Sequence, residues 1–213
     1  MFIELVDVLR CPNAHEETWL VLAAERLDGR DVVTGILGCP VCKAEFPIVH
    51  GIARFDHGNP PRTRLLSSDD TEAMRLAALL DLSDARGFAL LIGETGTHAR
   101  KLRELTDVQL LLVNPPPRIE MGAGVSGLTT DAGSPALPLA RESARGIAFD
   151  DATTAHDLTS RLGVVSVGAR ILAPASLPMP EGVKELARDD RYWLAERERT
   201  ARSSGIVSIG RRS

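Results

Sequence analysis

The chain has 213 residues, enough for one ordinary domain with a real core or a small domain beside a modest one. A formal net charge of −4 and only 4% aromatic residues argue against a basic stacking surface, so direct nucleic-acid contact is not expected. No apolar run is long enough to cross a bilayer, and the opening "MFIELVDVLRC" lacks the basic start and apolar core of an export signal, so the expectation is a cytoplasmic protein without a membrane partner.

The three cysteines, Cys11, Cys39 and Cys42, all precede residue 43. An odd count with a C-x-x-C pair in an unexported chain points to metal or redox use rather than a disulfide framework. "CPVC" is a tight knuckle whose turn lets two sulfurs converge on one ion. "CPNAH" supplies a second knuckle, and two knuckles make a zinc ribbon. Zinc in a structural site wants four tetrahedral ligands. Cys11, Cys39 and Cys42 supply three. The regular fourth place is Ala14, which cannot bind metal, and His15 one residue later would complete a Cys3His set; the alternative is a decayed site with a surface histidine. A thioredoxin-like role for Cys39 and Cys42 fits poorly, because the strand-like "FPIVHGIARF" follows where a helix is needed.

"DHGNPPRTRLLSSDD" reads as a linker, rich in Pro, Gly, Ser and charge. The chain therefore divides into a module over 1–57, a linker over 58–68 and a larger domain over 69–213. That domain alternates. "DDTEAMRLAALLDL" has helical spacing with Asp69 or Asp70 as its N-cap. "FALLIGE", "VQLLLVN", "GVSGLTT", "ARGIAFD" and "GARILAP" are short apolar runs, with helices predicted in "THARKLREL" and "DLTSRLGVV". "RYWLAERE" and "GIVSIGRR" are expected to form a closing antiparallel hairpin. Such alternation predicts an α/β fold with a mostly parallel sheet.

Two resemblances extend this reading. "LVDVLRCP" followed by "GILGCPVCKAEFPIVHGIARF" resembles, over about residues 4–55, the small zinc-ribbon family of the activator subunit of tRNA and translation-factor methyltransferases. Phe46 and Ala53 replace that family's usual tyrosine and proline. The resemblance implies a module that binds a protein partner through an apolar surface and does no chemistry itself. Residues 70–213 resemble a class I S-adenosylmethionine-dependent methyltransferase, with a Rossmann-like sheet. "TTDAGSPALPLARESARGIAFDDA" and "RLGVVSVGARILAPA" carry that likeness.

A cofactor of this class needs a glycine-rich turn, an acid after the second strand and a polar group after the third. The turn is "GETGT", with Gly93, Glu94 and Gly96 as candidates and threonines at two later glycine positions. Asn114 stands where the ribose acid is expected and lacks a carboxylate's charge. Asp131 is placed to serve the adenine. "NPPP" follows the second strand, too early to be the amine-binding motif of amino-group methylases. A general base could sit at Asp150 or Asp151, but these acids are read as caps of the following helix. No catalytic residue is predicted. The favoured expectation is a non-catalytic accessory or scaffold protein in a larger assembly, with zinc and a degenerate methyltransferase-like domain. The alternative is an active S-adenosylmethionine-dependent methyltransferase carrying its own activator.

Overall fold

A computed structural model describes residues 1–134 and 136–199. A short 3-10 segment, Ile3–Asp7, opens the chain. Four strands follow: β1 (Val21–Asp28), β2 (Asp31–Gly38), β3 (Glu45–Val49) and β4 (Ile52–Arg54). Then come α1 (Asp70–Leu79), β5 (Phe88–Ile92), α2 (Ala99–Leu105), β6 (Gln109–Val113), β7 (Val125–Thr129), β8 (Ala144–Ala148), α3 (Ala155–Arg161), β9 (Val165–Pro174), β10 (Val183–Arg188) and β11 (Tyr192–Arg197).

All of these strands lie in one sheet, ordered β1-β2-β3-β4-β7-β6-β5-β8-β9-β11-β10. The run from β4 to β9 is parallel, and β11 reverses against β9. β5 ("FALLI") is buried throughout, as a strand covered on both faces requires. A reversed C-terminal pair is present, in which "RYWLAERE" forms β11, antiparallel to β10, Val183–Arg188. "GIVSIGRR" lies outside the described residues. The mostly parallel sheet with a reversed final pair is the α/β, Rossmann-like arrangement that the alternating runs predict.

The strands of the cysteine module, β1–β4, join this sheet edge to edge. Ile52, Ala53 and Arg54 pair in parallel with Gly127, Leu128 and Thr129. A Cβ on Gly127 would stand 3.0 Å from Ile52 Cγ1, so the close approach at this seam favours glycine.

Two apolar layers cover the sheet. One face carries α1 and α2, with Leu76, Leu80 and Leu102 packed on Leu91, Leu110 and Leu112. The other carries α3 and the first ten residues. Leu5 and Leu9 are fully buried there, in one cluster with Leu90, Leu111 and Ile147. The Phe2 N–H donates to Ser126 Oγ at 2.8 Å, and Arg10 N–H to the Pro138 carbonyl at 2.9 Å. The connections from β6 to β7 and from β7 to β8 carry no helix among the described residues. The N-terminal segment therefore fills a layer that crossover helices occupy in a regular parallel sheet. Burial of this kind contributes about 1.5–3 kcal/mol for each leucine.

Candidate functional site

Two places gather the residues singled out in the sequence. The first is the cysteine module. Cys11 Sγ, His15 Nε2, Cys39 Sγ and Cys42 Sγ lie within 4.8 Å of one another. Cys39 and Cys42 are brought together by the turn of residues 39–44, closed by Lys43 N–H on the Cys39 carbonyl and Cys39 N–H on the Ala44 carbonyl. His15 Nε2 stands 3.1 Å from Cys11 Sγ and 3.4 Å from Cys39 Sγ. His15 Nδ1 sits 2.6 Å from the Glu16 carbonyl. A proton on Nδ1 satisfies that oxygen and leaves Nε2 with a lone pair aimed at the sulfurs, the orientation usual for a ligating histidine. The extra residue in this knuckle is thus absorbed by the histidine's longer reach.

The spacing fits a tetrahedral ion. A zinc–sulfur bond of about 2.3 Å implies sulfur–sulfur edges of about 3.7 Å. Cys11 and Cys42 are 3.7 Å apart, far beyond a disulfide bond, and all three cysteines are free. Backbone and side-chain donors also face the sulfurs, with Cys42 N–H on Cys39 Sγ and Asn13 Nδ2 on Cys42 Sγ. The Ala44 N–H and the Asn13 amide bring the Cys42 thiol down to about 6, whereas burial pushes Cys11 up to about 12.

The second place is the crevice at the C-terminal ends of β5, β6 and β8. Strand order reverses between β5 and β8, where open parallel sheets receive ligands. Gly93, Glu94 and Asn114 line it; Gly96 and Asp131 do not.

The predicted cofactor residues are already engaged within the chain. Gly93 has φ +55° and opens a 3-10 turn, Gly93–His98. The Asp150 carboxylate lies against it: Oδ2 accepts from the Glu94 N–H at 3.0 Å, and a Cβ on Gly93 would be 2.0 Å from that oxygen. Thr153 Oγ1 donates to Asp150 Oδ1 at 2.8 Å. Asp150 therefore does not cap the helix, contrary to the sequence expectation. Thr154 does so in a capping box with Asp157, leaving the earlier acid free to turn inward.

Asn114 is only 6% exposed, and both ends of its amide are occupied. Oδ1 accepts from the Thr130 N–H at 2.9 Å, and Nδ2 donates to Thr130 Oγ1 at 3.2 Å. Gly96 packs under Pro116, where a Cβ would meet the ring at 3.1 Å. Asp131 Oδ2 pairs with His57 Nδ1 at 2.7 Å, and Oδ1 accepts from the His57 N–H at 2.9 Å. Glu94 pairs with Arg64 at 2.7 Å.

Residues 57–68 cross above these groups. Besides His57 and Arg64, Thr63 Oγ1 donates to the Asn114 carbonyl at 2.9 Å and the Leu66 N–H to Thr97 Oγ1 at 3.2 Å. About 230 Å³ remains beneath them, below the range of roughly 300–1,000 Å³ of small-molecule sites. Sequence reasoning weighed Asp150 as a base or a helix cap and missed its seat on the glycine turn. Its only sequence signal is an acid at the end of the strand beside the glycine turn.

No family model matches the chain, and no curated protein matches it. Among solved structures, a protein from Corynebacterium glutamicum is 11% identical with a TM-score of 0.44, covering 64% of this chain and 84% of its own. A putative S-adenosylmethionine-dependent methyltransferase from Methanococcus maripaludis is 7% identical with a TM-score of 0.41, covering 63% and 86%. A putative methyltransferase from Escherichia coli is 15% identical with a TM-score of 0.38, covering 68% and 98%. The chain's own strand order is that of a Rossmann-like sheet with a reversed final pair, beside a Cys3His group with the spacing to hold a metal ion.

Proposed function

We propose that this chain is a non-catalytic accessory or scaffold protein of a larger protein assembly. Its zinc ribbon is held by Cys11, His15, Cys39 and Cys42, and its methyltransferase-like domain is closed to the cofactor. The observation that carries this reading is the Asp150 carboxylate seated on the Gly93 turn. An anion-binding turn works by presenting free backbone N–H groups to a ligand. Here the Glu94 N–H is taken by the chain's own carboxylate. Asn114 supports the same reading, since its buried amide is turned to Thr130 and hydrogen-bonded there at both ends.

Zinc would be structural in this arrangement. Four protein ligands leave no open position for a substrate or an activated water. The ribbon would stabilise the first ten residues and the strands that complete the sheet. A protein partner, rather than nucleic acid, agrees with the acidic total and the low aromatic content.

Calorimetry with S-adenosylmethionine on the purified protein tests the proposal. No binding, together with a stoichiometric co-purifying protein, is the expected result. Micromolar binding would overturn it in favour of an active methyltransferase.

A further inference from the structure

We propose that residues 57–68 are a pH-sensitive strap across the crevice, pinned at one end by His57 on Asp131 and at the other by Ser68 on His98. The inference goes beyond the proposed function and does not depend on whether any cofactor binds.

The geometry places one histidine contact at each end of the crossing. His57 Nδ1 is 2.7 Å from Asp131 Oδ2, and Ser68 Oγ is 3.0 Å from His98 Nδ1. Between them the strap is held by Thr63 on the Asn114 carbonyl, Arg64 on Glu94 and the Leu66 N–H on Thr97. These contacts are few and partly exposed, so the strap belongs to the low-stability end of the structure. Its release would open the crevice at the ends of β5 and β6.

The two ends respond to protons in opposite directions. His57 faces Asp131, with Asp56 also near. The Asp131 carboxylate raises the pKa of His57 above its ordinary value near 6.5. Protonated His57 is the form that pairs with the carboxylate. This hold is fully present below about pH 6.5 and is lost as pH rises through the raised value.

His98 is half-buried, facing Ser68 and the start of α1, where Asp69 and Glu72 lie, and Lys101 of α2. Burial is the largest influence and lowers its pKa, the two acids and Lys101 acting less strongly. Neutral His98 is therefore the form that suits the closed strap. Protonation penalises closure as pH falls below about 6.5. The strap is tightest near the ordinary histidine value and loosens on both sides of it.

Hydrogen exchange by mass spectrometry on the full chain, from about pH 5 to pH 8 and corrected for intrinsic rates, tests this. Protection of 57–68 should peak near pH 6.5 and fall roughly two- to fivefold toward both limits, the size expected of exposed contacts. His57→Gln should abolish the alkaline fall alone, and His98→Gln the acid fall alone. If His98→Gln disturbs the nearby helix, His98→Asn, which likewise carries no proton in this range, tests the same end and should also remove the acid fall. Protection of β5 and β6 should stay constant. A flat wild-type profile, a single limb, variants that keep both limbs, or β5 and β6 loosening in step with the strap would each overturn the proposal.

Discussion

The cysteine cluster and the glycine turn differ in where their polar atoms point. At the cluster, four ligand atoms converge on one spot, and the Cys11–Cys42 separation matches a sulfur–sulfur edge of a zinc tetrahedron. At the turn, the polar atoms close on one another: Asp150 on Glu94, Asn114 on Thr130, Asp131 on His57. The first arrangement is costly without something from outside, because it crowds three sulfurs and an imidazole. The second is satisfied as it stands. A cluster whose ligand atoms converge and a crevice whose polar groups are already paired can thus be told apart by hydrogen-bond accounting.

The largest expected effect would break the comparison from the metal side. Structural zinc contributes on the order of 10 kcal/mol in small zinc domains, so Cys39→Ala is expected to cost about 5 kcal/mol or more. The effect should not stay local, because Leu5 and Leu9 share a core with Leu90 and Leu111. Trp193 reports on this: it is fully buried in β11, at the other end of the sheet. In a Trp19→Phe background, chelation should expose Trp193 in the same transition that releases zinc. Zinc loss with Trp193 unmoved would mean that ribbon and sheet fold separately.

The next effects sharpen the crevice side. Gly93→Ala places a Cβ in the left-handed region and against Asp150, for a cost of about 3 kcal/mol or more. Asp150→Ala leaves the Glu94 N–H and the Thr153 hydroxyl without their acceptor, for about 2 kcal/mol. The double variant should be more stable than the sum predicts by about 1–2 kcal/mol, because the clash is gone. Urea denaturation of the four proteins measures this. Simple additivity would show that the carboxylate does not occupy the turn.

Asn114→Asp restores the acid that a cofactor-binding second strand carries, yet it should not restore binding. It removes the amide donor to Thr130 and buries a charge, costing about 1–3 kcal/mol. Asp150 still holds the turn. Calorimetry should show no gain for S-adenosylmethionine, and micromolar affinity in this variant would make Asn114 alone the defect.

Much of this was legible in the sequence, for particular reasons. β5, β6 and β8 are short apolar runs with turn signals around them, and parallel strands buried on both faces read that way. The Cys3His set was legible because knuckle spacing is local. Asp150 was not, because its partner is 56 residues away and an acid before a helix reads as a cap. β10 was missed because its pattern, exposed at nearly every position, carries no alternation for a periodicity argument to find. The joining of the cysteine module to the sheet was invisible for a third reason: parallel pairing of β4 with β7 joins segments some seventy-five residues apart and leaves no local signal.

The smallest effect concerns the pair formed by His57 and Asp131. His57 donates to Asp131 from ring and backbone, and both hydrogen bonds lower the Asp131 pKa, the ring bond most. Its contribution to stability is present above the ordinary aspartate value of about 4 and is lost as pH falls through the lowered one. The His57 contribution runs the other way, present below about 6.5 and lost as pH rises through its raised value. The pair should therefore matter most between these limits. Asp131→Asn removes the charge and keeps the shape. Melting temperatures of variant and wild type should differ most near pH 5 to 6 and converge as pH rises through the raised His57 value, where the imidazole loses its charge. A gap that stays constant through that rise would assign the effect to the backbone hydrogen bond alone, and Asp131 would then hold the loop as a turn residue rather than as half of an ion pair.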